Sequence, residues 1–189
     1  MTIKEIEFLD SMLSCCRGSY FEFGAGGSTF HACMYPLITH ITSVESSQFW
    51  IQKLMSNRLI NISHQFNRLQ FLFQDINSDD NHHSWPKDQS KKDNWPLYSR
   101  AINQSGQKYN MVLIDGRFRV ACALHALDAI TPKSYVMIHD YANRPQYHCV
   151  EQFYDKMSSV ENLSVFCKKS NYDTKLVETM IKKYEYVCD

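Results

Sequence analysis

The chain has 189 residues, enough for one substantial hydrophobic core and short of two domains. Its formal net charge is +0, so it lacks the basic footprint of a protein that binds nucleic acid or an anionic membrane surface. Hydrophobic residues make up 44% and charged residues 21%, the balance of a globular protein, and no apolar run approaches membrane-spanning length.

Ile3, Ile6, Leu9, Met12 and Leu13 recur at helical spacing and predict a helix over 2–15, within a leading segment 1–17. Acids inside M-T-I-K-E-I-E-F-L-D set this segment apart from a signal peptide. Strand one is expected at 19–23, where Tyr20, Phe21 and Phe23 favour extended backbone. Gly24, Gly26 and Gly27 break it, and Ser28 is the expected N-cap of a helix over 28–35 that stops at Pro36. Strand two follows at 41–45, one helix at 47–59 and strand three at 69–74. The polar stretch 76–95 reads as a long loop or lid, with a solvated His82-His83 inside it and the pairs Trp85-Pro86 and Trp95-Pro96 beside it. A short helix near 97–104 leads to strand four, Y-N-M-V-L-I at 109–114, whose apolar run suits a central parallel strand. A helix over 119–130, strand five at 135–138, a helix over 146–157, strand six at 163–167 and a last helix over 173–184 complete the order. This alternation predicts a single α/β domain over 1–189: a doubly wound, mainly parallel sheet of about six to seven strands with helices on both faces. Seven cysteines without a Cys-x-x-Cys spacing indicate free thiols and a cytoplasmic protein.

Ligands bind such sheets beyond the carboxyl ends of the strands, where the strand order reverses. Successive strands end there in polar groups: Glu22 and Gly24, then Glu45, Asp75, Asp115, and His139-Asp140. One acid in such a place is a common turn former, but a series of them along one edge predicts a site, because each is costly to desolvate. The strand–glycine–helix passage at 20–31 aims backbone N–H groups at an anionic part of a ligand, and a Cβ there would block its approach. Thr29 stands where the third glycine of G-x-G-x-x-G would fall, which disfavours a nicotinamide-dependent oxidoreductase. Glu45 lies 21 residues after Gly24, near the spacing of about 20 at which an acid meets ribose hydroxyls.

The pattern E-x-G-x-G-G-S from Glu22 to Ser28 resembles motif I of the class I S-adenosylmethionine-dependent methyltransferases, which have a Rossmann-like fold. The resemblance continues through S-V-E-S, Q-D-I, V-L-I-D-G-R-F-R and I-H-D-Y-x-x-R-P-x-Y, across roughly residues 18–155. Together these look like a subgroup whose bacterial and viral members are often associated with glycan synthesis. The I-D…H-D pairing is also similar to plant enzymes that O-methylate glucuronic acid on xylan. The resemblance implies methyl transfer from S-adenosylmethionine to a hydroxyl of a sugar or glycan. Rival readings are an O-methyltransferase for a phenolic or other small hydroxylated metabolite, and a non-catalytic module that keeps the fold. The resemblance places Glu22, Gly24, Gly26 and Ser28 at the methionine end of the donor, Glu45 at the ribose and Asp75-Ile76 at the adenine edge, with Ala25, Ser46 and Asp115 also binding the donor. An acidic rim suits a ligand that carries a sulfonium and an ammonium and has no pyrophosphate.

Methyl transfer to a hydroxyl needs alignment and removal of a proton. Asp115, His139 and Asp140 are the catalytic candidates, His139 as general base because imidazole titrates near neutral pH. The alternative is a divalent cation on Asp115 and Asp140 that acidifies the acceptor. Metal-dependent catechol-type O-methyltransferases place acids similarly, but carry Asp-Asn where this chain has Asp140-Tyr141 and a lysine where it has Phe118. Arg117 and Arg119 open a helix, where cations are mildly unfavourable, and that conflict suggests work on an acidic or polyhydroxylated acceptor. Tyr141, Arg144 and Tyr147 are expected on the same rim, and the tryptophan faces suit stacking on a sugar ring. The expected partner is thus a sugar or glycan, with no nucleic acid and no membrane insertion; a homo-oligomer is compatible with the sequence.

Overall fold

The computed structural model describes residues 1–79 and 85–188, so the His82-His83 expectation lies outside the described residues. Seven strands form one sheet: β1 (Gly18–Phe23), β2 (Ile38–Glu45), β3 (Leu69–Phe73), β6 (Tyr109–Ile114), β7 (Ile130–Ile138), β8 (Tyr154–Val160) and β9 (Leu163–Lys168). A two-residue antiparallel pair, β4 (Ser78–Asp79) and β5 (Trp85–Pro86), lies in the segment expected to be loop. The sheet order is β3-β2-β1-β6-β7-β9-β8. Pairs from β3 through β7 are parallel, and β9 and β8 join antiparallel.

Period-two alternation decides which helix covers which face. Phe21, Phe23, Val112, Ile114, Val136 and Ile138 pack with α5 (Trp95–Arg100), α6 (Arg119–Ala129) and α7 (Thr174–Tyr184). Tyr20, Ile41, Leu69, Met111, Leu113 and Met137 pack with α1 (Ile3–Cys15), α2 (Gly27–Met34), α3 (Gln48–Met55) and α4 (Arg58–Gln65). Burying each large apolar side chain contributes about 1.5–3 kcal/mol, so both layers are needed to hold the strand ends in register. The architecture is the doubly wound, Rossmann-like one expected. No helix among the described residues is long and apolar enough to cross a membrane.

The chain leaves β1 toward β2 and β3, then returns to the other side of β1 as β6. This reversal puts the carboxyl ends of β1 and β6 side by side. Gly24 and Gly116 meet there backbone to backbone. A Cβ on Gly24, whose φ is +92°, would lie 2.9 Å from the Gly116 nitrogen. Gly24→Ala is therefore expected to lower stability by about 2–4 kcal/mol, from backbone strain and overpacking together. Urea unfolding reads this directly, and a wild-type midpoint would show that the contact relaxes without cost.

Several sequence expectations are corrected. The helix expected over 146–157 is a 3-10 turn at Pro145–Gln152 followed by β8, which pairs with β9 through a turn with Glu161 at φ 50°. Residues 155–159 are exposed, so this edge strand carries no apolar alternation to betray it. The helix expected over 47–59 is two helices, because the Asn57 side chain caps α4 by accepting from the Leu59 and Ile60 amides. Ser28 is not the N-cap of α2; Gly26 occupies that position, and Ser28 turns inward.

Candidate active site

The turn after β1 is braced by a buried carboxylate. Alternation directs Glu22 under α2, where it accepts from the hydroxyls of Tyr20 at 3.0 Å, Ser28 at 2.7 Å and Thr29. Burial pushes its carboxyl upward in pKa, while the Thr29 and Ser28 hydroxyls pull the other way and fall short. Glu22 thus fixes the glycine turn from beneath and is not among the residues lining the cleft above it. The Gly24 amide donates to Val44, the Ala25 amide to Glu45 and the Gly26 amide to Thr29 Oγ1. Among the described residues, a Cβ on Gly26 or Gly27 would meet nothing within 4 Å, so open space lies in front of the start of α2.

Glu45 ends β2 facing the same space. One carboxylate oxygen accepts from the Ala25 amide at 3.0 Å, the other from the amides of Ser46 at 2.7 Å and Ser47 at 2.9 Å. Burial raises its pKa, opposed by these amides. A carboxylate has about four lone-pair sites, so ligand hydroxyls would meet a group already clamped in place. Next to it, the Trp50 Nε1–H donates to the Ala25 carbonyl at 2.7 Å, holding the indole against the glycine turn. Phe49 and Trp50 both line the cleft. The sequence reading missed them; their signal was an aromatic pair just after the acid that ends β2.

At the end of β6 and β7 the charged groups form one connected set. His139 Nδ1 lies 2.8 Å from Asp115 Oδ1 and 3.5 Å from Asp140 Oδ1, and its Nε2 lies 3.2 Å from Glu5 Oε2 on α1. Burial alone would lower the imidazole pKa, but the Asp115 hydrogen bond and the charges of Asp115 and Asp140, with Glu5, outweigh it and raise it. Arg119, 3% exposed, reaches Asp140 at 3.0 Å, Asp115 at 3.3 Å, and the carbonyls of Gly116, Asp115 and His139. Arg144 adds a contact to Asp140 at 3.3 Å. Burial would raise the Asp140 pKa, but Arg119, His139 and Arg144 hold it below the usual carboxylate value. Arg119 is therefore spent inside the protein on strand-end carbonyls and acids, which resolves the charge conflict seen at the start of α6.

The same arrangement does not suit a divalent cation. Arg119 already stands between Asp115 and Asp140, and a metal there would face a fixed guanidinium. Among the described residues no three His, Cys, Asp or Glu side chains gather to hold a metal ion.

A single cleft of about 820 Å³ joins the glycine turn, Glu45, Ser46, Asp115, His139 and Asp140. That lies within the range of small-molecule sites. Arg117, Arg119 and Arg144 also line it, as do Trp85 and, from α1, Met1, Ile6 and Leu9. Arg117 is 8% exposed, its guanidinium lies 4.9 Å from the Trp85 ring centre, and its Nη1 has no hydrogen-bond partner among the described residues. Other expected residues fall elsewhere. Asp75 pairs with Lys91 and accepts from the Asn77 amide, and Ile76 is buried in the core, so neither lines the cleft. Tyr141 and Tyr147 are buried rather than on the rim: the Tyr141 hydroxyl donates to Glu151 at 2.8 Å, and Arg144 donates to the Tyr147 hydroxyl at 2.8 Å. Of the two Trp-Pro pairs, Trp85 borders the cleft while Trp95 is buried against Phe118.

No family model matches the chain, and no curated protein matches it. Solved structures do. A methyltransferase-like protein from Silicibacter pomeroyi superposes with a TM-score of 0.81 at 26% identity, over 98% of this chain and 95% of that one. The fold is that of a methyltransferase. A candidate caffeoyl-CoA O-methyltransferase from Staphylococcus aureus gives a TM-score of 0.64 at 12% identity, over 89% of this chain and 85% of that one. An O-methyltransferase from Bacillus cereus, in complex with SAH, gives 0.58 at 12% identity, over 89% and 82%. These two likenesses speak for the fold alone. Methyltransferase architecture accounts for a cleft at the β1/β6 reversal whose walls are a glycine turn and strand-end acids.

Proposed function

We propose that this chain is an S-adenosylmethionine-dependent O-methyltransferase that methylates a hydroxyl of a sugar or glycan. The observation that carries the reading is a cleft in which the Gly24–Ser28 turn, Glu45 and Asp115 face a common space. Its residues fit the donor. Open space in front of Gly26 and Gly27 admits a carboxylate to the Gly27 and Ser28 amides at the positive end of α2. Glu45 and Ser46 receive ribose hydroxyls, and the faces of Phe49 and Trp50 pack on the adenine. When bound, the donor supplies an electrophilic methyl group on a sulfonium.

Asp115 is the catalytic residue that touches the acceptor. It lines the cleft with 29% of its side chain exposed, whereas both ring nitrogens of His139 already face carboxylates. The role of base is therefore reassigned from His139 to the carboxylate it holds. Asp115 would take the proton of the acceptor hydroxyl as that oxygen accepts the methyl group the donor would supply. Asp140 stays charged beside Arg119 and Arg144 and keeps that end of the cleft polar. Arg117 Nη1, buried and without a hydrogen-bond partner among the described residues, offers a donor to an acceptor oxygen, and the half-exposed Trp85 ring offers a stacking face for a sugar.

Incubation with labelled donor and a panel of glycosides, uronic acids, catechols and phenols tests this. Transfer to a glycoside or uronic acid hydroxyl is the expected result. Turnover confined to phenolic acceptors moves the reading to a small hydroxylated metabolite. Donor binding without transfer to any acceptor leaves a binding module.

A further inference from the structure

Glu5 lies outside every motif that points to the cleft, yet it is 1% exposed and its carboxylate is fully engaged. One oxygen accepts from the Asn162 amide at 2.9 Å, in the turn between β8 and β9. The other accepts from the Thr2 amide at 2.7 Å, closing a capping box at the start of α1, and faces His139 Nε2 at 3.2 Å. A cap alone does not require burial, and an exposed N-terminal turn would serve it equally well. Glu5 instead carries α1 onto the end of β7, so that Met1, Ile6 and Leu9 become a wall of the cleft.

The consequence runs through the imidazole. With Glu5 on Nε2 and Asp115 on Nδ1, a ring that donates from both nitrogens satisfies both carboxylates, and a neutral ring satisfies only one. The ring cannot rotate without losing a charge-assisted bond. We propose that Glu5 is a positioning residue for the transfer reaction: it locks the His139 ring, and the locked ring fixes the Asp115 carboxylate in line with the acceptor. This rests on the O-methyltransferase reading for its functional meaning, while the locked ring itself does not depend on it. The arrangement parallels the orientation of an imidazole by a buried acid in hydrolytic triads, but with the order inverted, since here the imidazole serves the acid.

The groups that face the ring are Glu5 from α1, Asp115 after β6, Asp140 on its own turn, and Arg119 from α6, which donates to the His139 carbonyl and to both aspartates; Arg144 faces Asp140. Removing Glu5 leaves the other four in place.

Two measurements on the full-length protein test this. The first is nitrogen-15 NMR of the His139 imidazole in wild type, Glu5→Gln and Glu5→Asp. Both nitrogens should be protonated at neutral pH in wild type. In Glu5→Gln the titration midpoint should fall by about one unit, the shift expected for losing one nearby charge, with Glu5→Asp between the two. The second is a double-mutant cycle on methyl transfer with His139→Gln. Glu5→Gln alone should lower kcat by about tenfold, as for loss of an outer supporting group, with KM for the donor unchanged, and should add nothing in the His139→Gln background. Unchanged imidazole signals in Glu5→Gln overturn the proposal, as does a kcat loss that persists in full without His139. If no acceptor is methylated at all, the functional reading fails, and the imidazole measurement still decides whether Glu5 locks the ring.

Discussion

Asp115→Asn is expected to lower kcat by about 10²–10⁴-fold, the usual contribution of a positioned general base. The substitution keeps the shape of the side chain and an oxygen for the His139 Nδ1–H at 2.8 Å, so the network around it survives. What it removes is the capacity to take the acceptor's proton. Donor affinity should change far less, because the glycine turn and Glu45 follow other strands, Trp50 stands on α3, and all are fixed by their own hydrogen bonds. Steady-state turnover paired with calorimetric titration separates the two effects. A variant with wild-type kcat would take Asp115 out of the chemistry, whereas an equal collapse of donor binding would make it a cofactor residue first.

Arg119→Ala is expected to destabilise the protein by about 3–5 kcal/mol, the scale on which breaking a buried ion pair from one side operates. The guanidinium is 3% exposed and answers two carboxylates and three backbone carbonyls at the ends of β6 and β7. Without it, Asp115 and Asp140 face each other across a low-dielectric site, and the carbonyls lose a charged donor. Arg119→Lys should recover only part of the loss, since one ammonium cannot reproduce the planar fork. Urea unfolding of the three proteins measures this. A loss under about 1 kcal/mol, the scale of a surface pair, would mean that the network is solvated and dispensable.

The central architecture was readable because its signals are local. An apolar strand that ends in an acid or glycine announces itself over a few residues, and Glu22, Glu45, Asp115 and Asp140 were found that way. The cleft then gathers Glu45, Asp115 and Asp140 with Gly24, as one rim of one sheet requires. What escaped depends on partners far along the chain. β8 is a polar edge strand defined by pairing with β9, and nothing in Tyr154–Val160 alternates. Arg119 looked available for a ligand until its carbonyl and carboxylate partners were in view. Glu5 had a signal, the T-x-x-E capping box, but a cap explains that acid so well that its long-range contact with His139 has no separate trace in the sequence. Phe118 begins α6 at φ 56° without a glycine or asparagine to mark it. Tyr141 and Tyr147 show the opposite error, since aromatic residues near a rim fill the core at least as readily as they meet a ligand.

Isothermal titration of S-adenosylmethionine and S-adenosylhomocysteine into the wild type and into Gly24→Ala tests most directly whether the β1/β6 cleft is a methyl-donor site. Binding to the wild type with a Kd between about 1 μM and 1 mM, the range of ordinary enzyme–substrate affinities, together with marked weakening in folded Gly24→Ala, is the predicted result. No heat at millimolar ligand, or equal affinity in both proteins, would contradict it.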